Sequence, residues 1–304
     1  MNGMLLILKP PGMTSHDVVA WLRRRLGRRV GHAGTLDRQA AGLLLCCVGA
    51  ATRLTEYLVR LDKSYRMEFT FGIATETGDA EGKVTTCRDA SRLTPAEVRQ
   101  HLERFRGTVR QRVPRYAAVK VGGERLYRLA RRGEQVVPPE REVRIHRLEL
   151  LHWWPGEHPR ALVDMRCSSG TYARALARDL GEALGCGAHL SFLVRTRVGP
   201  FSLREATLLE QVAQADAVER LMVPMAEVLW FWPRVTVTDR QLLWRLRHGD
   251  LPVRDGQALA AQLSGHAEGG IRIVDDRGNL VAVGRMEHGG RTGRRLRLEK
   301  VFAP

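Results

Sequence analysis

This sequence of 304 residues predicts an α+β fold, with strands and helices interspersed on a mixed sheet. Alternation with period two marks at least two half-buried strands. Helical runs opened by capping residues or closed by glycine interrupt them, without the strand-helix-strand rhythm of a doubly wound sheet. Near Trp230 the texture changes to short strands, which divides the chain into an expected domain over 1–230 and a smaller one over 231–304.

Val18, Leu22 and Leu26 recur at helical spacing until Gly27. Residues 43–48 are too short and too apolar for anything but a buried element. Tyr65, Met67, Phe69, Phe71 and Ile73 alternate with Arg66, Glu68 and Thr70, a strand whose apolar face includes Tyr65. Thr94-Pro95-Ala96-Glu97 is a capping box with proline at the first helical position, so a helix runs from there towards Phe105. Ala161, Val163, Met165 and Cys167 form a further strand face, Ser168-Ser169-Gly170 turns, and Tyr172, Leu176, Leu180 and Leu184 continue as a helix until Gly185. Beyond Phe231-Trp232-Pro233, Val235 and Val237 begin a strand and Thr238-Asp239-Arg240-Gln241 caps a helix that ends before Gly249. Short strands are expected over 271–274, 280–283 and 296–301, with a hairpin at Asp275-Asp276-Arg277-Gly278.

No apolar run is long enough to cross a bilayer and no signal segment opens the chain, so a soluble cytoplasmic protein is expected. Five cysteines without a Cys-x-x-Cys pair indicate neither a disulfide framework nor a zinc ribbon. The ten histidines lack metal-ligand spacing, so no metal is expected. A formal charge of +16 and a pI near 10.7 make a polyanion the first partner to suspect. Only Lys9, Lys63, Lys83, Lys120 and Lys300 are lysines; the remaining basic residues are arginines, suited to phosphate forks and base stacking. A GC-rich genome also inflates arginine, so the charge alone leaves a merely solvated surface open.

Gly31-His32-Ala33-Gly34-Thr35-Leu36-Asp37 sets one carboxylate in a glycine-hinged loop between packed elements. Loops so placed carry function, although Asp beside Gly is also the commonest turn pattern. Two further segments decide the matter: Lys63-Ser64-Tyr65 at a strand start and Gly170-Thr171-Tyr172-Ala173-Arg174 at a helix start. With the first, these three motifs in order resemble the bacterial tRNA pseudouridine synthases of the TruB family, in the branch that modifies the T-arm. Shorter matches lie at 9–15, 75–82, 116–120 and 185–189.

The resemblance implies a pseudouridine synthase catalytic domain on a mixed, mainly antiparallel sheet, followed by a small β-barrel resembling the RNA-binding PUA module, with Arg291, Arg294, Arg295 and Arg297 as its basic residues. It implies a monomer that isomerises uridine 55 in the tRNA T-loop without a cofactor or a protein partner. Consistently, the chain has no Gly-x-Gly-x-x-Gly after a strand and no Gly-Lys-Ser/Thr phosphate loop. The reaction needs a carboxylate able to bond covalently to the substrate and a dry pocket for the detached base. Asp37 is the candidate nucleophile, attacking either ribose or uracil. Arg174 corresponds to the family arginine that pairs with it, although Arg174 and Arg178 at i, i+4 also describe a solvated face. Tyr65 and Tyr172 correspond to residues lining the base pocket, Tyr65 also assisting proton removal at C5, and Leu193 to a pocket wall. Core packing is the rival reading for all three. His32 corresponds to a histidine that packs against the flipped nucleotide, or it caps a loop. The chain departs from the family at Arg38, where proline is usual, and at Ala41, where threonine is usual; without the proline the loop must be held by other contacts. Rival functions are a non-catalytic RNA-binding protein with this fold, or a KH-type Gly-x-x-Gly clamp at 31–34, which would need a helix on each side.

Overall fold

The continuous apolar run Ala41–Val48 is a strand buried on both faces, which is why its sequence does not alternate. Leu43, Leu45 and Cys47 pack with Leu54 and Tyr57 on one side; Leu44, Cys46 and Val48 pack with Val18 and Leu22 of the helix Ser15–Leu26 on the other. The computed structural model describes residues 1–117, 119–132, 134, 136–263, 269–288 and 294–302. Ala118 of the 116–120 segment and Arg291 lie outside the described residues.

Ala41–Val48 belongs to a ten-stranded sheet whose main path runs Val223–Pro224, Gly3–Lys9, Ala41–Val48, Ala188–Val198, Lys63–Phe71, Arg160–Cys167, Glu140–Trp154, Gly107–Arg112. Val30–Ala33 and Phe201–Ser202 pair off this path. All its pairings are antiparallel except Ala41–Val48 against Ala188–Val198, so the sheet is mixed and mainly antiparallel, as expected. That parallel junction is tight: a Cβ on Gly42 would lie 2.4 Å from the Arg195 carbonyl oxygen. Glycine at 42 therefore lets the two strands meet.

The predicted strand at Tyr65 spans Lys63–Phe71 and stops short of Ile73. Gly72, at φ +85°, breaks it, and Ile73–Thr75 pairs instead with Val84–Cys87 in a separate hairpin. Arg160–Cys167 buries Ala161, Val163, Met165 and Cys167 as the alternation requires. Thr94 caps the helix Pro95–Arg104 through the expected box with Glu97. Two long strands were not legible in sequence. Glu140–Trp154 carries register shifts at Ile145/Arg147 and Leu150/His152, and Ala188–Val198 carries others, so bulges erase the period-two signal.

The C-terminal region is a four-stranded sheet, Arg234–Val237, Gly270–Asp275, Leu280–His288 and Arg294–Val301, with helices Arg240–Arg247 and Val253–Ala261, the second of which was not anticipated. The first helix is capped by Asp239, which accepts from the Leu242 amide at 2.6 Å, rather than by Thr238. The predicted turn closes as Asp275 accepts from the Arg277 and Asn279 amides. Val274, Leu280, Val283 and Phe302 share one core with Met4, Tyr57 and Val228, so this sheet packs directly on the larger one. Buried Arg272 fastens the connection, donating to the carbonyls of Ala226, Trp230 and Trp232 and pairing with Glu227 at 2.9 Å. No helix among the described residues is long and apolar enough to cross a membrane.

Candidate active site

Asp37 lies in the connection between Val30–Ala33 and Ala41–Val48, so the glycine-hinged loop begins only at Gly34, three residues later than its sequence suggests. Ser15 clasps it by donating to the Leu36 carbonyl and accepting from the Leu36 amide, at 3.1 and 2.8 Å. Lys9 is fully buried beneath it, donating to the carbonyls of Pro10, Met13 and Arg38. Arg38, which stands where proline is usual, donates to the Gly12 carbonyl at 3.0 Å while the Gly12 amide donates back to Arg38. The 9–15 segment thus supplies the restraint that the missing proline would have given.

Arg174 enters from the first turn of the helix Ala173–Ala183. Its Nε stands 3.0 Å from Asp37 Oδ2 and its Nη2 3.4 Å from Oδ1, a two-pronged contact between residues 137 apart in sequence. The Arg174 side chain is only 7 % exposed, whereas that of Asp37 is 56 % exposed, so the guanidinium is fixed and the carboxylate faces outward. Arg174 is itself held by the carbonyls of Thr77 and Tyr116 and by Asp79, whose Oδ2 is 3.6 Å from Nε. Arg178, one turn later, bonds Asp179 instead, so the shared helix face suggested by i, i+4 spacing is split into one buried arginine and one peripheral one.

A cavity of about 440 Å³ opens between these elements. Asp37, Tyr65, Tyr172, Arg174 and Leu193 all line it, so five of the six predicted residues converge. His32 does not: it lies on the strand before the loop, with its Nδ1 buried and without a hydrogen-bond partner, and burial holds its imidazole below the ordinary pKa. Tyr172 occupies the N-cap of the Arg174 helix but has no capping side chain. Buried Gln111 takes that part, accepting from the Tyr172 amide at 3.0 Å and donating to its carbonyl at 3.3 Å. The Arg141 guanidinium lies 5.7 Å from the centre of the Tyr172 ring. Burial pushes the hydroxyls of both Tyr65 and Tyr172 above the usual phenol range.

Three buried cations, two lining the cavity and one beside the Asp37 loop, escaped sequence reasoning as site residues. Arg195 is 1 % exposed and donates to the Leu43 and Gly34 carbonyls. Lys63 donates to the carbonyls of Val59 and Leu61, and Lys9 has been described; burial, with Arg195 nearby, holds both ammonium groups down to about 8. The available signal was the rarity of lysine in so arginine-rich a chain, since two of five lysines are these. Arg295 and Arg297, expected as basic residues of a PUA-like module, pair with Glu287 at 3.2 and 2.9 Å.

A carboxylate gripped by a buried arginine at the mouth of a tyrosine-lined cavity, on this mixed sheet with a small β unit behind it, defines a pseudouridine synthase fold. Solved structures share the architecture: an H/ACA RNP bound to a substrate RNA containing 2'-deoxyuridine matches with a TM-score of 0.72 at 24% identity, over 99% of this chain and 85% of that one. A Cbf5-Nop10-Gar1 complex matches with a TM-score of 0.70 at 24% identity, over 99% and 85%. Residues 23–173 match the TruB family pseudouridylate synthase N-terminal domain and residues 174–229 the tRNA pseudouridylate synthase B C-terminal domain. The chain is 53% identical to tRNA pseudouridine synthase B of Symbiobacterium thermophilum over 83% of each chain, and 43% identical to that of Moorella thermoacetica over 99% of each. The chain belongs to the TruB family, whose members are isomerases acting on tRNA.

Proposed function

We propose that the substrate is uridine 55 in the T-loop of tRNA, flipped into the Asp37 cavity and converted to pseudouridine with Asp37 as nucleophile. The observation that supports this reading best is the Asp37–Arg174 pair at 3.0 Å on the wall of a cavity shared with Tyr65, Tyr172 and Leu193. Arg174 holds both carboxylate oxygens in its fork, which orients Asp37 at the cavity mouth as water is excluded. Breaking the ribose–N1 bond frees the uracil to turn over, and the cavity holds it until C5 meets the ribose. Tyr172 and Leu193 wall the base; stacking on an aromatic ring contributes about 1–3 kcal/mol, which offsets much of the roughly few kcal/mol of unstacking. Tyr65 receives the C5 proton. His32, on the strand before the loop, packs against the flipped nucleotide.

We assign 1–230 to catalysis and 231–304 to RNA binding in a PUA-like manner, in a cytoplasmic monomer that works without cofactor or metal. The test incubates purified protein with an unmodified tRNA transcript, without added cofactor or metal, and maps pseudouridine by a chemical-label primer-extension stop. A single T-loop stop with wild type, absent with Asp37→Asn although tRNA still binds, is expected. A stop elsewhere would refute the site; an active Asp37→Asn would refute the nucleophile.

A further inference from the structure

We infer that Arg195 is a positioning residue for this reaction: its guanidinium ties the start of the Asp37 loop to the strand that follows it and sets a positive charge beside the Tyr65 hydroxyl on the cavity wall. The inference rests on the role proposed above for Tyr65. Arg195 sits opposite Tyr65 in the register of Ala188–Val198 against Lys63–Phe71, so the two side chains emerge side by side on one face. Its Nε donates to the carbonyl of Leu43, in the strand after the loop that bears Asp37, at 2.8 Å, and its Nη2 to that of Gly34, where the loop begins, at 2.9 Å. Gly34 is confined against it, since a Cβ there would stand 3.3 Å from Arg195 Nη1. Arg195 and Tyr65 line the same cavity, so the guanidinium charge stands beside the Tyr65 hydroxyl.

Stability alone does not account for this arrangement. Among the described residues no carboxylate lies within 4.0 Å of Arg195, although its side chain is 1 % exposed. A guanidinium buried without a counter-ion is unfavourable, and an apolar side chain of similar volume would fill such a site at lower free energy. A guanidinium carries donors and no acceptor, so beside a phenol oxygen it can only stabilise negative charge there. The positive charge also favours phenolate. The Tyr65 hydroxyl first loses its proton to solvent; when the C5–H bond then breaks, its electron pair returns to the uracil ring and the proton passes to the phenolate, giving neutral tyrosine. The groups facing Tyr65 are Arg195 from Ala188–Val198, Cys167 from Arg160–Cys167 and Asp37 from the loop; burial, Cys167 and Asp37 all raise the phenol pKa, and Arg195 opposes them.

The experiment compares full-length wild type, Arg195→Gln, Arg195→Lys and Tyr65→Phe by single-turnover pseudouridine formation across pH, by tRNA Kd and by Tm. At neutral pH Arg195→Gln is expected to slow the reaction by on the order of 100-fold, to move the midpoint of its rate–pH profile to higher pH than that of wild type, and to keep its tRNA Kd. Arg195→Lys, which retains the charge, should be slowed less and keep the wild-type pH midpoint. A rate lowered equally at every pH together with a weakened Kd and Tm would make Arg195 a structural residue and overturn the inference, as would wild-type turnover by Arg195→Gln. If Arg195→Gln does not fold, Arg195→Lys decides: a slower rate at unchanged Kd supports the role, and an unchanged rate overturns it. Tyr65→Phe separates the two readings. Wild-type turnover there removes the role of Tyr65 itself, whereas a slow Tyr65→Phe beside a normal Arg195→Gln removes only that of Arg195.

Discussion

Replacing Gln111 by alanine should loosen the helix that carries Arg174 without touching the substrate's path. Gln111 is 2 % exposed and closes the Tyr172 backbone with two hydrogen bonds, 3.0 Å from the amide and 3.3 Å to the carbonyl. Each such bond contributes about 1 kcal/mol net, and the amide left unsatisfied at a helix N-cap adds about 1–2 kcal/mol. The expected loss is therefore about 3 kcal/mol, which for a chain of this size lowers Tm by roughly 5 °C or slightly more. Activity should fall further than stability alone requires, because Tyr172 and Arg174 both depend on that cap, while tRNA Kd stays near wild type. Gln111→Glu keeps the acceptor for the amide but sets a carboxylate against the Tyr172 carbonyl, so it should fall between wild type and alanine. Differential scanning calorimetry and single-turnover kinetics measure the two effects. An unchanged Tm in Gln111→Ala would refute the reasoning, since two buried bonds cannot be lost without consequence.

Arg174→Lys should lower the rate by on the order of 100-fold or more with little change in Kd, because an ammonium cannot reproduce the fork that meets both Asp37 oxygens; a loss of less than about threefold would contradict that. Lys9 binds its proton less tightly folded, at about 8, than at the ordinary 10.5, so between those values the unfolded chain holds more protons and stability rises with pH. In urea unfolding, wild type should gain on the order of 1–3 kcal/mol relative to Lys9→Met as pH rises from about 8 to 10.5; parallel curves would exclude Lys9 as a source. Phosphate contacts by an arginine-rich surface should make tRNA affinity fall steeply with salt, and a Kd flat between about 50 and 200 mM salt would count against electrostatic positioning of the tRNA.

Much of the secondary structure was legible because its causes are local. The Thr94 box, the alternation over 161–167 and the Asp275 to Gly278 turn are each set by residues within a few positions of one another, and each appears as read. Where reading failed, something distant intervened. Bulges forced by neighbouring strands hid Glu140–Trp154, and Gly72 ended a strand whose apolar pattern continued into Ile73. Asp37, Tyr65, Tyr172, Arg174 and Leu193 could be named from motif order, but nothing in the helical spacing distinguished Arg174 from Arg178.

The sequence by itself determined a basic α+β protein, the family to which it belongs, and the carboxylate around which its site is built, because motif residues and periodicity are properties of short stretches. Only the tertiary structure decided how deeply Arg174 is buried where it meets Asp37, that His32 stands outside the cavity, and that Lys63 and Arg195 line it while Lys9 is buried by the Asp37 loop. Those outcomes depend on sheet register and on backbone carbonyls brought together from distant strands. A carbonyl that accepts a buried cation belongs to every residue type alike, so the side-chain sequence carries no mark of it.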